Sequence, residues 1–442
     1  MKFKISLALF LSLFTTTIFA QQDEKQLSLE FVALLKNAQY HQAYSMFDSA
    51  VIKKITEDAF ITAMQGATKQ LGSIEEYSYD FGEKGKEYDK TYTKCTFQNN
   101  ILDVELAFTQ SGRIYGFHFV DPSRVEASKY TPPPYDSAKG YTEVNITITT
   151  GKYKLPGVLT VPNTIKNPPV IIMVQGSGPN DMDESIGSNK PFKDMAIGLV
   201  RKGIATIRYE KRTLIYGAHM ADDIHKATVN DEVIEDVLSA VNMAGSLGCD
   251  TNRIFVLGHS LGAMLAPRIA GQSKKIRGII MMAGDSRLLE DVMIDQYKYL
   301  ASLDTASARK NKQRIDMAIK QAEYAKSPSL KPDAPDSLLP LGVPAPYWID
   351  INNYNQVKAA EALTIPIFIM QGERDYQVTM DDYNLWKDKL HKKKNVTLKS
   401  YPKLNHLFME GEGKKSTPAE YDNPQHIPMY VIDDIATWLN KN

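Results

Sequence analysis

The chain has 442 residues, of which 43% are hydrophobic and 24% charged, and its 52 basic residues balance 52 acidic residues. This length suggests two or three domains, one of them large enough to bury an active site. A net charge of zero argues against a nucleic-acid groove or an anionic membrane surface as the main partner. Cys95 and Cys249 belong to no Cys/His cluster, so we expect two small buried residues rather than a zinc site or a disulfide framework.

Residues 1–20 have the pattern of a secretory signal peptide. Two lysines precede an apolar stretch too short to span a bilayer comfortably, and Ala20 then precedes a polar segment. This order is typical of a cleaved export signal, and the alternative is an uncleaved membrane anchor. We therefore expect a periplasmic or extracellular protein that has no membrane anchor after cleavage.

Residues 26–120 are predicted to form a small α+β domain. Apolar residues recur at helical spacing over 27–71, which predicts three short amphipathic helices. From Tyr77 to Phe119 the period changes to two, which predicts an antiparallel meander. The order resembles the small cystatin-like or nuclear-transport-factor-like domain, of unknown function, that precedes many secreted bacterial hydrolases. Residues 121–141 contain three consecutive prolines and are predicted to be an extended linker.

From residue 142 to residue 442 the pattern alternates short apolar strands with amphipathic helices. An antiparallel pair of strands comes first, and six near-continuous apolar strands follow. Such strands imply a mostly parallel sheet with helices on both faces, an α/β fold. Residues 287–356 interrupt the alternation with a charged helix and a proline-rich stretch. We expect them to form a lid beside the carboxyl ends of the strands, where ligands bind.

The clearest chemical signal is the run Gly258-His259-Ser260-Leu261-Gly262, which follows an apolar strand and leads directly into a helical segment. Gly-x-Ser-x-Gly between a strand and a helix is the nucleophile elbow of the α/β-hydrolases. The glycines matter because the serine occupies a strained turn, where side chains two positions away would collide with the neighbouring backbone. The alternative is a serine in an ordinary strand–helix turn.

A serine hydroxyl is a poor nucleophile at neutral pH, so it needs a base, and the base needs an orienting carboxylate. In this fold the chain order is serine, acid, histidine. Asp375 and His406 follow two successive downstream strands, so we predict the triad Ser260, Asp375 and His406. Glu373 is the alternative acid. The other seven histidines lie in the first domain, upstream of the elbow, in the elbow itself or at helix ends.

The oxyanion of an acyl-transfer intermediate needs backbone donors, usually the N–H after the nucleophile and one from a loop after an earlier strand. Leu261 supplies the first. Gly176 or Ser177, just after the apolar strand 170–174, is predicted to supply the second. A glycine-rich loop can instead cradle a phosphate, but no Gly-x-Gly-x-x-Gly or Walker lysine is present.

Four motifs together resemble one branch of the α/β-hydrolases. They are the elbow at 258–262, Gly176–Asp181, Arg208–Thr213 and Gly372–Asp375. This branch holds serine-aminopeptidase-like and acylaminoacyl-peptidase-like proteins and includes two-domain secreted bacterial carboxylesterases. The resemblance covers about residues 141–442.

The resemblance implies Ser260, Asp375 and His406 as catalytic residues, short-chain esters as substrates, and no metal or cofactor. The sequence departs from the branch at two positions. Gln175 stands where many relatives carry histidine. Met182 lies in an Asp-Met-Asp-Glu run that is often Asp-Arg-Asp-Glu.

Three further residues are candidates for substrate contact. Arg208 follows a strand end at the same rim and would anchor a substrate carboxylate or the acidic loop 181–184; the alternative is a structural ion-pair cluster. Tyr347 and Trp348, with Tyr354, would form an apolar pocket for the acyl or leaving group. The alternative is that these aromatic residues only dock the lid on the body.

The sequence thus predicts an exported serine hydrolase, and a carboxylesterase of small-molecule esters first of all. A serine peptidase with the same triad is the first alternative, which a carboxylate pair gripping a peptide terminus would favour. The second alternative makes residues 26–120 a ligand- or glycan-binding module. We expect no metal, cofactor or nucleic-acid partner, and the sequence does not predict the oligomeric state.

Overall fold

The computed structural model describes residues 24–85, 87–122, 129–137, 139–304, 309 and 311–442. The predicted signal peptide therefore lies outside the described residues, as do parts of the predicted linker and lid. The chain divides after residue 126 into two compact units.

Within its described residues the first unit holds four helices and a four-stranded antiparallel sheet in the order β1-β2-β3-β4. The helices are α1 (Glu24–Lys36), α2 (Tyr40–Ser45), α3 (Ser49–Ile52) and α4 (Glu57–Leu71). The strands are β1 (Ile74–Glu83), β2 (Asp89–Phe97), β3 (Ile101–Phe108) and β4 (Ile114–Val120). The sequence predicted three helices. It missed α2 because Ala43 is the only buried residue of that helix, which leaves no apolar stripe to set a helical period.

Aromatic rings fill the core of the first unit. The ring of Phe47 meets those of Phe31 and Phe60 edge-on, at centroid distances of 5.8 and 5.3 Å. Cys95 lies in the same core as a free thiol, and burial raises its pKa to about 12. Cys249 of the second unit is also buried and unpaired, so the expectation of two small buried cysteines is confirmed.

The described part of the second unit is built on an eight-stranded sheet in the order β12-β11-β10-β9-β7-β8-β6-β5. Strands β5 and β6 form an antiparallel pair, β6 is antiparallel to β8, and all other neighbours are parallel. The strands are β5 (Tyr141–Thr150), β6 (Tyr153–Pro162), β7 (Val170–Val174), β8 (Ala205–Tyr209), β9 (Ile254–His259), β10 (Ile276–Met282), β11 (Ile367–Gly372) and β12 (Val396–Tyr401). This is the mostly parallel α/β architecture that the sequence predicted.

Helices connect and cover these strands. They are α5 (Pro191–Val200), α6 (Arg212–Tyr216), α7 (Glu235–Met243), α8 (Leu261–Gln272), α9 (Leu289–Leu303), α10 (Lys312–Ala325), α11 (Ala345–Asn353), α12 (Gln356–Ala362), α13 (Met380–Leu390) and α14 (Met429–Lys441). A π-helical turn, Asn230–Ile234, leads into α7. Helices α9 to α12 come between β10 and β11. Helices α9 to α11 lie in the segment predicted to be a lid, 287–356, and α12 begins at its last residue.

Strand β7 shows why the central strands of this sheet, β7 to β11, are apolar with almost no alternation. Ile172 and Val174 belong to the core on one face, which α7 and α8 cover. Ile171 and Met173 belong to the core on the other face, which α5 and α14 cover. Successive side chains of a strand point to opposite faces, so a strand covered on both sides has every residue buried. Polar groups that reach solvent or substrate therefore collect at the strand ends.

Candidate active site

Ser260 occupies a strained turn between β9 and α8. Its backbone lies in the left-handed region, at φ 53° and ψ −119°, a conformation that costs a non-glycine residue about 1–3 kcal/mol. The flanking glycines make the turn possible. A Cβ at Gly258 would lie 2.2 Å from the Gly262 carbonyl oxygen, and a Cβ at Gly262 would lie 2.3 Å from that of Val174. The local geometry is therefore that of a nucleophile elbow.

Asp375 and His406 meet at the carboxyl edge of the sheet. The Nδ1 atom of His406 lies 2.7 Å from Oδ2 of Asp375, and both side chains are buried. The other carboxylate oxygen accepts the N–H groups of Gln377 and Val378 at 2.7 and 3.1 Å. The carboxylate is thus fixed, and it selects the tautomer in which Nδ1 carries the hydrogen and Nε2 keeps a lone pair.

Glu373, the alternative acid, has a different neighbour. Its side chain is exposed and accepts a hydrogen bond from the Ser400 hydroxyl at 2.7 Å. Of the two candidate acids, Asp375 is the one that contacts His406.

The backbone donors of the predicted oxyanion hole differ in what they already bind. The N–H of Gly176 donates to Oε1 of Glu184 at 2.6 Å, so it is not free for a substrate oxygen, in contrast to the expectation. Ser177, the other predicted donor of this loop, lines the cavity beside Ser260. Leu261 is the first residue of α8, where an N–H has no acceptor within the helix. Ser177 and Leu261 are therefore the two donors that fit an oxyanion.

Ser260 opens into a cavity of about 560 Å³. The loop after β7, the segment after β8 and the lid supply its walls, which are mostly apolar. The lining residues include Ser177, Pro179, Met220, Ile224, Ala227, Leu289, Val292, Met293, Leu341, Val343, Pro344, Tyr347, Trp348 and Val378. The space suits a small, largely apolar organic molecule.

The predicted lid aromatics divide into two groups. Tyr347 and Trp348 of α11 both line the cavity. Tyr354 does not, and its hydroxyl donates to the carbonyl oxygen of Met264 in α8 at 3.1 Å. Tyr354 therefore docks the lid on the elbow helix, while its two neighbours form part of the cavity wall.

Arg208 has no place in the cavity wall. Its buried guanidinium forms ion pairs with Asp183 and, at 2.6 Å, with Glu143. Glu143 comes from β5 and Asp183 from the loop after β7, and together they balance the charge of the Arg208 guanidinium. Because Asp183 belongs to the acidic loop 181–184, Arg208 anchors that loop within a structural ion-pair cluster. The expectation that Arg208 contacts substrate is wrong.

A buried ion pair that the sequence reasoning missed supports the cavity wall. Lys211 lies 2.6 Å from Oε1 of Glu232, and its Nζ donates to the Gly176 carbonyl at 2.7 Å. The Tyr347 hydroxyl donates to the other Glu232 oxygen at 2.6 Å. Burial, followed by the Glu232 charge, raises the Tyr347 pKa well above its usual value, so the phenol stays neutral. Lys211 belongs to the Arg208–Thr213 motif. No feature of the neighbouring sequence distinguished Glu232 from the other acidic residues of an amphipathic helix.

Asp285 is a second cavity residue that was missed. It follows β10, between the strands that carry Ser260 and Asp375, and its side chain is 1% exposed. Among the described residues nothing hydrogen-bonds its Oδ2 atom. Burial, followed by the charge of Asp382, raises its pKa to about 7. The sequence feature that could have predicted Asp285 as a site residue is its position just after the apolar strand that follows the elbow.

In the parts of the chain that the structure covers, no three His, Cys, Asp or Glu side chains cluster as metal ligands. No helix in those parts is long and apolar enough to cross a membrane.

Residues 193–413 match the family model described as Serine aminopeptidase, S33, and residues 28–117 match a Protein of unknown function (DUF3887). Esterase EstD of Thermotoga maritima is 36% identical over 436 residues, which cover 98% of this chain and 100% of that protein. Among solved structures, Est1E from Butyrivibrio proteoclasticus aligns with a TM-score of 0.45 at 15% identity, over 67% of this chain and 99% of that one. The Pyrococcus furiosus esterase Pf2001 aligns with a TM-score of 0.41 at 14% identity, over 71% and 98%.

The full-length relative and the two family matches agree with the nucleophile elbow and the α/β-hydrolase fold. The chain belongs to the α/β-hydrolase esterases that carry a DUF3887 domain in front of the catalytic domain. It is an esterase, a hydrolase of carboxylic esters. The resemblance drawn from the four sequence motifs is confirmed.

Proposed function

We propose that this esterase cleaves small carboxylic esters through an acyl-enzyme on Ser260, with His406 as the base and Asp375 as the orienting carboxylate. The observation that carries the proposal is the 2.7 Å contact between His406 and Asp375, at the same edge of the sheet as the strained Ser260. The histidine tautomer set by that contact leaves Nε2 able to take a proton.

The reaction has two steps, acylation of Ser260 and hydrolysis of the acyl-enzyme. His406 Nε2 takes the Ser260 proton as Oγ bonds to the ester carbonyl carbon, and the carbonyl oxygen becomes an oxyanion held by the N–H groups of Leu261 and Ser177. The intermediate collapses, the bond to the alkoxy oxygen breaks, and His406 returns its proton to the departing alcohol. Water then attacks the acyl-enzyme by the same route, which releases the acid and restores Ser260.

The cavity wall supports small, largely apolar substrates. Tyr347 and Trp348 offer flat aromatic surface to an acyl chain or a leaving group. Among the described residues that line the cavity, the carboxylates are Glu232 and Asp285. Both oxygens of Glu232 are occupied by Lys211 and Tyr347, which leaves Asp285 as a single carboxylate and no pair to grip a peptide terminus. The ester reading is therefore favoured over the peptidase alternative.

The test is hydrolysis of p-nitrophenyl esters from acetate to octanoate by the wild-type enzyme and by Ser260→Ala. We expect kcat to fall at least about a thousandfold in the variant. Ser273→Ala is the matched control, because Ser273 lies at the far end of the same helix and should leave turnover unchanged. Ester turnover that survives in Ser260→Ala would overturn the triad assignment.

We further propose that the enzyme is exported and that residues 1–20 are removed. The support is the sequence pattern of two lysines, a short apolar run and Ala20. In a Gram-negative host the protein should be found in the periplasm with Gln21 as its first residue. N-terminal sequencing checks this, and an intact Met1 on cytoplasmic protein would contradict it.

A further inference from the structure

A second histidine–carboxylate pair lies directly behind the triad. Glu184 follows the oxyanion loop and is buried, and its Oε1 accepts the N–H of Gly176 at 2.6 Å. Its Oε2 lies 3.0 Å from Nδ1 of His259, the elbow residue before Ser260. The Nε2 of His259 in turn lies 2.9 Å from the backbone carbonyl oxygen of His406. One chain of contacts thus joins the oxyanion loop, the elbow and the histidine loop.

The chemistry of these contacts determines the charge of His259. A neutral imidazole carries one N–H, yet here one ring nitrogen faces a carboxylate oxygen and the other faces a carbonyl oxygen. A lone pair on Nδ1 would lie 3.0 Å from the Glu184 carboxylate and be repelled by it, so an ionised Glu184 favours hydrogen on both nitrogens, the imidazolium form. The Nδ1 contact is an ion pair whose N–H is not aimed straight at the oxygen, so charge holds it more than direction does.

The surroundings agree with a cation at this position. Burial lowers the pKa of His259, but the charge and hydrogen bond of Glu184, with smaller contributions from His406 and Asp375, outweigh it and raise the pKa overall. The ionisable groups that face the ring are Glu184, Asp375 and the imidazole of His406, whose ring centroid is 4.6 Å away.

The backbone of Glu184 is strained, which indicates that the position of its side chain is imposed by its contacts. Its φ of 54° lies in the left-handed region, which a non-glycine residue adopts only where the surroundings impose it. The strain lets one carboxylate reach both Gly176 and His259. Ser177, the residue after Gly176, carries an N–H that fits the oxyanion, so its placement depends on this anchor.

We propose that Glu184 and His259 are positioning residues for ester hydrolysis, which together hold the Ser177 N–H and the His406 ring in register with Ser260. The inference rests on the proposed role of the triad. It predicts that His259 must be an imidazolium while Glu184 is ionised. Loss of the His259 proton would place a nitrogen lone pair against the Glu184 carboxylate or the His406 carbonyl oxygen, and that contact would be released. The pH profile of kcat therefore has an alkaline limb that belongs to His259.

The experiment compares kcat and KM for p-nitrophenyl butyrate, from pH 5 to 10, in the wild-type enzyme, Glu184→Ala, Glu184→Gln and His259→Ala. We expect the two alanine variants to lose about 10–100-fold in kcat with little change in KM, as small misplacements of catalytic groups do. Glu184→Gln should recover most of kcat, because its amide oxygen still accepts from Gly176 while its NH₂ donates to a neutral His259. In that variant the alkaline limb should disappear.

Asp194→Asn is the matched control. Asp194 is also a buried carboxylate paired with a histidine, His426 at 3.2 Å, but it lies away from the cavity. It should change thermal stability without moving the kcat profile. If the alanine variants do not fold, ¹⁵N-histidine NMR of the wild-type enzyme tests the proposal directly: the His259 ring should be doubly protonated at pH 7. A neutral His259 at pH 7 would overturn the proposal.

Two other outcomes are separable. Wild-type kcat and pH profiles in folded Glu184→Ala and His259→Ala, with an inactive Ser260→Ala, would overturn this inference and leave the triad standing. Turnover that survives in Ser260→Ala would overturn the proposed mechanism, and the positioning roles with it.

Discussion

Oδ2 of Asp375 accepts from Nδ1 of His406 at 2.7 Å, while Glu373, two residues earlier, turns outward to Ser400. The two acids are almost adjacent in sequence, yet only one reaches the histidine. Asp375 also accepts two backbone N–H groups, which hold its carboxylate still while the imidazole carries a positive charge.

Asp375→Asn should therefore lower kcat by about 10⁴-fold, because the amide favours the wrong histidine tautomer and cannot balance the imidazolium. Glu373→Gln is the control and should stay within about twofold of the wild type. Initial rates on p-nitrophenyl butyrate measure both. The assignment of the acid would be wrong if the two variants were equally active.

Two substitutions at Ser177 separate the role of its backbone N–H from that of its side chain. Ser177→Pro deletes the N–H, so kcat should fall by about 10²–10³-fold while KM changes little. Ser177→Ala keeps the N–H and should remain within a few fold of the wild type. A proline variant with wild-type kcat would show that this backbone donor does not serve the oxyanion.

Replacing glycine by alanine should have opposite effects on stability at Gly258 and at Gly271. A Cβ at Gly258 would lie 2.2 Å from a backbone oxygen in the elbow, whereas a Cβ at Gly271 would meet nothing within 4 Å. Gly258→Ala should destabilise the enzyme by more than about 4 kcal/mol, the range of severe packing defects. Gly271→Ala, in the last turn of α8, should stabilise it by about 0.5–1 kcal/mol. Urea unfolding measures both, and similar midpoints for the two variants would contradict the elbow geometry.

Asp285 should make stability depend on pH. Its pKa is raised to about 7 in the folded state, so its contribution to stability is fully present below its ordinary pKa near 4 and is lost as the pH rises toward 7. Asp285→Asn should remove this loss and raise the free energy of unfolding by up to about 4 kcal/mol at pH 8, with the difference shrinking toward pH 4. Urea unfolding at pH 4.5, 6 and 8 measures the trend, and a constant difference across the series would contradict it.

Trp348 should limit the length of the acyl chain. Trp348→Ala removes a buried indole from the cavity wall, so the preferred p-nitrophenyl ester should shift to longer chains. Tyr354→Phe removes only the hydrogen bond to Met264 and should leave the chain-length profile unchanged. The two profiles, compared as kcat/KM from acetate to octanoate, test whether the indole borders the acyl site.

Local sequence patterns determined most of the architecture. Strand β7 has the bounds 170–174 that its apolar run predicted, because a strand covered on both faces is apolar at every residue. The elbow followed from the glycines around Ser260 in the same way, since the steric demand lies within a few residues. Helix α2 was not predicted, because Ala43 is its only buried residue and no apolar pattern marks it.

Only the tertiary structure decided how polar groups are paired. Glu184 comes eight residues after Gly176, and a left-handed turn is needed to bring its carboxylate onto the Gly176 N–H, so no spacing rule distinguished Gly176 from Ser177. The partners of Arg208 come from other segments of the chain, so the sequence left a substrate carboxylate, the acidic loop 181–184 and a structural ion-pair cluster all open. Hydrophobicity is a property of each residue, so the sequence indicates which residues are buried. The partner of a buried charge depends on which distant segments the tertiary fold brings together.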